Sequence, residues 1–243
     1  MKAIRQAQAK QLSLVLPIHN HADFVEKVIK KTDRVLADAG LDFELILVEN
    51  GSTDGSLEVC RKLARENKRI KLLRTQAGYG RAIIKGLKNS RGTIVGYSEA
   101  NGLIYPNVIP YLVWLLEDRH CDLAKGLRVE RESTFRAVQS KIYNALANLM
   151  FGLSLKDANT CPKLFPRSYL KVFMLEHPQS FIDLEIMIKA KELGLKIFEV
   201  PIPYLARAGG KSLTNWGTAW QFIANMVSWR FSKLRVWRSK LKK

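Results

Sequence analysis

The chain has 243 residues, 47% of them hydrophobic, which supports one large globular unit and excludes a disordered chain. Its three cysteines, Cys60, Cys121 and Cys161, lack metal-ligand spacing, and their odd number argues against a disulfide scaffold; a reducing cytoplasm is the expected setting. The formal charge of +18 calls for anionic partners, either phospholipid or nucleic acid.

Met1 to Lys10 lacks the apolar run of a signal peptide. Leu12–Leu16 reads as the first strand, ended by Pro17, with His19-Asn20-His21 as the loop behind it. Asp23–Ala39 repeats Phe24, Val28, Ile29, Val35 and Leu36 at helical spacing, and Gly40 ends it. Leu45–Val48 reads as a strand buried on both faces, followed by turn residues from Glu49 to Ser56. Glu49 thus leaves the carboxyl end of a parallel strand, where open α/β sheets bind ligands. A carboxylate there accepts hydrogen bonds from a ribose or a base N–H. Leu57–Asn67 reads as a charged helix and Ile70–Leu73 as a short strand. Two strand–helix–strand units by residue 75 imply a parallel sheet with right-handed crossovers.

Gly78-Tyr79-Gly80-Arg81 opens a helix over Ala82–Lys88. Glycines admit a close ligand, a helix start favours anions, and Arg81 adds a fork suited to a diphosphate; a plain helix-start turn is the other reading. Thr93–Tyr97 reads as a buried strand ending in Ser98-Glu99-Ala100-Asn101-Gly102. Ser140–Leu155 has no charge between Lys141 and Lys156 and is too short and polar to span a bilayer. It is either an amphipathic surface helix or a core helix. Asp183 can cap the helix that follows Phe181, Gly194 ends that helix, and Lys196–Val200 reads as a strand. No acidic residue follows Glu199, and the last 44 residues carry nine Lys or Arg. Trp216, Trp220, Trp229 and Trp237 recur in this tail, as aromatic residues do at the headgroup zone.

Taken in order, several runs resemble glycosyltransferase family 2 and its GT-A fold. They are Pro17-Ile18-His19-Asn20, Val48 through Gly55, Gly78 through Ala82, Glu99-Ala100-Asn101, and Asp157 through Lys163-Leu164-Phe165. The resemblance extends from about Leu12 to Ser212 and is strongest to the branch that transfers sugars to dolichyl or polyprenyl phosphate. It implies an α/β fold, with a mostly parallel Rossmann-like sheet flanked by helices over residues 1–212. A basic amphipathic tail at 213–243 is expected to lie on the membrane. By the same resemblance, Pro17, His19, Asn20, Glu49, Gly51, Ser52, Gly80, Arg81, Glu99 and Ala100 bind the nucleotide sugar. Glu99 and Asn101 stand where the family has Asp-x-Asp, and so would hold Mg²⁺ or Mn²⁺ with one formal charge fewer. His19, His21, Glu49 and Asn50 also depart from the usual pattern, which leaves the donor's identity open.

Arg128, in Gly126-Leu127-Arg128, and Arg131 would face the acceptor phosphate, with Arg136 a further candidate. Asp157 matches the position beside the attacking acceptor. Arg207 and Lys211 belong to a glycine-bearing loop expected to close over both phosphates. The implied activity is an inverting transfer from a UDP- or GDP-sugar to a polyprenyl or dolichyl phosphate. Its expected place is the cytoplasmic face of a membrane, as a peripheral protein. Two other readings stand beside it: a sugar or protein acceptor, and a non-catalytic nucleotide-sugar binder. No nucleic-acid motif accompanies the basic tail.

Overall fold

The computed structural model describes residues 11–102, 106–129, 134–203 and 223–242. The strands are β1 (Leu12–Ile18), β2 (Phe43–Asn50), β3 (Ile70–Thr75), β4 (Ile94–Tyr97), β5 (Leu123–Arg128), β6 (Lys163–Pro166) and β7 (Ile197–Ile202). The helices are α1 (Val25–Asp38), α2 (Ser56–Glu66), α3 (Tyr79–Lys88), α4 (Val108–Glu117), α5 (Thr134–Phe151), α6 (Leu170–Phe173), α7 (Ile182–Glu192) and α8 (Leu234–Leu241). The strands form one sheet in the order β3-β2-β1-β4-β6-β5-β7. Every pairing is parallel except the two made by β6, which runs against β4 and β5.

Alternation along β1 divides the core. Leu12, Leu14, Leu16 and Ile18 face a layer with residues of α1, α2 and α4, whereas Val15 faces the layer of α3, α5 and α7. Each such buried aliphatic side chain contributes about 1.5–3 kcal/mol. A Cβ on Gly86 of α3 would come within 2.3 Å of Val15 Cγ1, so that helix lies directly on the sheet.

Two strand ends lie beyond where turn residues alone would stop them. Pro17 does not end β1; it pairs with Val48. Val15 O accepts the Ser98 N–H, so alternate residues of β1 turn their polar groups toward β4. The ring nitrogen of Pro17 therefore faces a side where β4 has already finished at Tyr97, and no ladder bond is lost. Likewise β2 continues through Glu49 and Asn50, which pair with Arg74 and Thr75. The four-residue β6 is too short for any periodicity to announce it.

The C-terminal segment packs back onto the fold. Residues 223–228 are helical, Trp229–Lys233 forms a π-turn, and α8 follows. The wider π-turn lets Trp229 and Leu234, five residues apart, face the same side. Met226, Trp229, Leu234 and Trp237 are buried in the α7 core layer. Lys189 Nζ sits 5.0 Å from the Trp229 ring and 5.7 Å from the Trp237 ring. Trp237 Nε1 donates to Val172 O at 3.0 Å, and Arg238 pairs with Glu192 at 2.5 Å. Trp229 and Trp237 are thus core residues and not headgroup anchors: α7 offers them apolar surface and a buried cation. Trp216 and Trp220 lie outside the described residues. Among the described residues no helix is long and apolar enough to cross a membrane.

Candidate active site

The carboxyl ends of β1, β2 and β4 open on one rim of the sheet. On the β1–β2 side, two loops are stitched together. Asn50 Nδ2 donates to Ile18 O at 2.8 Å, its Oδ1 accepts the Gly78 N–H at 3.2 Å, and its carbonyl meets His19 Nδ1 at 2.9 Å. Asn20, at φ 54°, accepts the Thr53 N–H at 2.9 Å, and its own N–H donates to Ser52 Oγ at 3.1 Å. Asp54 accepts the Ala22 N–H at 2.9 Å and the Ser56 hydroxyl at 2.5 Å. Burial raises the Asp54 carboxyl, but these donors more than offset it and hold it below the usual carboxylate range.

Glu49 lies inside β2, not in the loop, with 2% of its surface exposed. Its Oε1 accepts the Ser52 N–H at 2.5 Å, and its Oε2 lies 3.3 Å from Arg74 Nε. Arg74 escaped the sequence reading because only the β2–β3 register places it opposite Glu49. Pro17 is buried beneath, while His19 and Asn20 are exposed at the rim. Gly51 turns the chain at φ 77°, where a Cβ would meet Ala77 at 3.3 Å.

At the start of α3 the glycines serve the protein itself. A Cβ on Gly80 would lie 2.1 Å from His177 O and 2.7 Å from Gln179 O. The Arg81 N–H donates to Pro178 O at 3.1 Å. The close backbone approach expected of a ligand at Gly80 is made here by residues 177–179. Arg81 is exposed and donates from its guanidinium to Ala77 O at 2.8 Å.

Across the rim stand Glu99, Arg128 and Asp157. Asn101 Nδ2 donates to Glu99 Oε2 at 2.7 Å, and Ala100 between them is buried. Arg128 ends β5, its Nε 3.2 Å from Thr160 Oγ1 and 3.9 Å from Asp157 Oδ2. Burial works against the Arg128 charge, but Glu99 and Asp157 more than offset it and raise its pKa. Asp157 accepts the Asn159 N–H at 3.1 Å and the Thr160 hydroxyl. The reversed direction of β6 is what brings this loop to the rim: the segment before an antiparallel strand lies at the same edge as the ends of the parallel ones. Arg131, Arg207 and Lys211 lie outside the described residues, as does the side chain of Arg136.

Two buried ion pairs hold this half from below. Lys125 Nζ donates to Asp157 O, to Gly126 O at 2.7 Å and to Glu199 Oε1 at 3.2 Å. Glu199 in turn accepts the N–H groups of Lys156 and Asp157, at 2.9 and 3.2 Å. Burial and neighbouring Lys163 push Lys125 down to about 8, against the opposing pull of Glu199 and Asp157. Asp183 does not cap α7. It is buried in the first turn of that helix, where it accepts from Lys163 and, at 2.7 Å, from the Tyr97 hydroxyl. Cys161 packs there, 3.5 Å from the Tyr79 hydroxyl, and burial pushes its thiol up, leaving it a neutral core group. Lys125 carried no pattern that marked it, whereas Thr160 lay inside the run Asp157 through Phe165 and Glu199 opened the family-like run Glu199-Val200-Pro201-Ile202, neither with an assigned partner. Their contacts depend on strands far apart in the chain.

Among the described residues no cluster of three His, Cys, Asp or Glu side chains is placed to hold a metal alone. Glu99 and Asn101 are nevertheless joined on one loop and bear hard oxygen atoms. Mg²⁺ commonly takes one or two carboxylates and fills the rest of its shell with water and substrate phosphates. The donor set fits a cation shared with a diphosphate.

The family described as Glycosyl transferase family 2 matches residues 13–173, which include both halves of this rim. The chain belongs to that family. Among curated relatives of this family 2 chain, the undecaprenyl-phosphate 4-deoxy-4-formamido-L-arabinose transferase of Edwardsiella ictaluri is 28% identical over 83% of the chain. The chain spans 62% of that relative's length. The dodecaprenyl-phosphate galacturonate synthase of Rhizobium johnstonii is 27% identical over 92% of this chain and 68% of its own. Among solved structures, glucosyl-3-phosphoglycerate synthase of Mycobacterium tuberculosis, in complex with Mn²⁺, UDP and glucosyl-3-phosphoglycerate, matches with a TM-score of 0.71. It is 22% identical, over 91% of this chain and 80% of that one, a likeness of fold.

Proposed function

We propose that the chain transfers a sugar, with inversion, from a UDP- or GDP-sugar to a polyprenyl phosphate at a membrane surface. The observation that carries this reading is the facing of two sets of groups across one rim. Buried Glu49, paired with exposed Arg74, sits on the β2 side, and Arg128, Thr160 and Asp157 sit on the β5–β6 side. The names of the curated relatives support the acceptor class.

In this reading His19, Asn20, Glu49 and Ser52 receive the base and ribose, above buried Pro17 and the turn at Gly51. Arg81 meets the diphosphate. A divalent cation held by Glu99 and Asn101 would supply charge to the leaving diphosphate. Arg128, with Arg131, receives the acceptor phosphate through paired N–H donors. One phosphate oxygen forms a bond to the anomeric carbon while the bond from that carbon to the nucleotide diphosphate breaks, and the diphosphate leaves with the electron pair. A phosphate monoester is already anionic near neutral pH, so the protein's task is positioning and charge stabilisation. Asp157 orients the acceptor. Arg207 and Lys211 complete the charge around the leaving group, a role that rests on the resemblance alone.

The test is a donor screen with a short-chain prenyl phosphate, with and without Mn²⁺ or Mg²⁺. Label from the correct donor is expected in the organic phase. Asp157→Asn is expected to lower kcat about 100-fold at saturating substrate. Label confined to water-soluble products, or full turnover by that variant, contradicts the proposal.

A further inference from the structure

The outer side of α5 has a composition that the site leaves unexplained. The inner side is committed. Asn144 Oδ1 accepts the Ala158 N–H at 2.9 Å, and Asn148 holds both the N–H and the carbonyl of Leu155, at 3.3 and 2.9 Å. Ala147 and Phe151 are buried in the core. The helix therefore braces the loop that presents Asp157. On the outer side, Val138, Ile142, Ala145 and Leu149 follow one another at steps of four, three and four residues, which is a single side of an α-helix. Val138, Ile142 and Leu149 are 50%, 57% and 82% exposed. Lone exposed apolar residues are ordinary in globular proteins; an aligned row of them marks a contact surface.

The flanking charge selects the occupant. Residues 134–156 contain no Asp or Glu; exposed Lys141 directly precedes Ile142 of the row, and Lys156 is exposed in the loop after the helix. We propose that this side of α5 lies on an anionic bilayer, with its apolar row in the headgroup–acyl boundary and its lysines on lipid phosphates. The inference rests on the proposed transfer to a polyprenyl phosphate and adds where the lipid surface is met. It puts Arg128 and Asp157, at either end of the segment containing α5, beside the bilayer. A second copy of the chain is disfavoured as occupant, because lysines of like charge would be brought together on a chain of net charge +18. The C-terminal segment is the competing surface. There Ile223, Val227 and Phe231 are also exposed at steps of four, but Trp229 and Trp237 are turned inward; α5 is preferred because Asn144 and Asn148 tie it to the loop that presents Asp157.

Flotation of the full chain on phosphatidylcholine vesicles, with and without phosphatidylglycerol, tests this. Wild type is expected to float with the anionic vesicles. Ile142→Gln with Leu149→Gln is expected to lower the bound fraction about tenfold, and Phe231→Gln to leave it near wild type. Both positions are exposed, so thermal unfolding of the double variant should match wild type. Wild type that stays in solution, a double variant that floats normally, or loss on Phe231→Gln alone overturns the assignment. So does a wild-type dimer that the double variant turns into a monomer while flotation is unchanged. Transfer to a short, water-soluble prenyl phosphate should be equal in wild type and double variant. Its absence in wild type defeats the proposed activity and leaves the vesicle result to stand by itself.

Discussion

Lys125 shows how much of this site is held by groups that touch no substrate. One ammonium fastens the backbone of Asp157 and, through Glu199, two further N–H groups of the same loop. Glu199→Gln keeps the shape but removes the charge that faces the lysine. We expect it to lower kcat more than it raises KM, because the loop that presents Asp157 loosens. Unchanged kcat would make Glu199 a stability residue only. Lys125 itself has a testable pH signature. Its folded pKa of about 8 lies below the ordinary lysine value. Between those two pH values the unfolded chain binds more protons than the folded one, so this group's contribution to stability rises with pH through that window. The stability difference between wild type and Lys125→Met, from urea unfolding, should therefore grow in favour of wild type from pH 8 to pH 10. A flat difference would show that Lys125 is not held in a depressed state.

At the scale of elements, short helices and loops are shaped by what packs on them. The start of α3 is pressed against residues 177–179, so Gly80→Ala has no room for its methyl group: the obstacle is a backbone carbonyl. A loss of about 3 kcal/mol is expected from chemical denaturation. A loss near zero would mean that the 177–179 segment moves aside easily. Trp237 is a second such point. Trp237→Ala should cost about 3–5 kcal/mol, since it empties buried volume beside Lys189 and breaks the bond to Val172 O.

For the molecule as a whole, the contacts of residues 223–242 argue against an independent tail. Met226, Trp229, Leu234 and Trp237 belong to the same core layer as α3, α5 and α7. A chain ending at residue 212 should therefore unfold at a lower temperature than the full chain, and the full chain should show one calorimetric transition. Equal melting temperatures would restore the boundary expected between 212 and 213. The two faces of α5 are divided in the same way: the inner side braces the loop that presents Asp157, and Val138, Ile142 and Leu149 on the outer side are exposed.

Read from residues alone, the chain disclosed its parallel strands, its family and the two rim loops after β2 and β4. These are local matters. Apolar runs of strand length, turn residues at strand ends and a motif of fixed spacing are all legible within a few neighbouring positions. Tertiary structure alone decided the partners of those residues. Arg74 meets Glu49 by register, and Lys125 meets Asp157 and Glu199 through strands separated by dozens of residues. The same holds for the tail, where composition suited a membrane surface but the core of α7 buries Trp229 and Trp237. An aromatic row has the same periodicity whether it faces lipid or protein. Only the presence of a complementary apolar surface and a buried cation settles which side it takes.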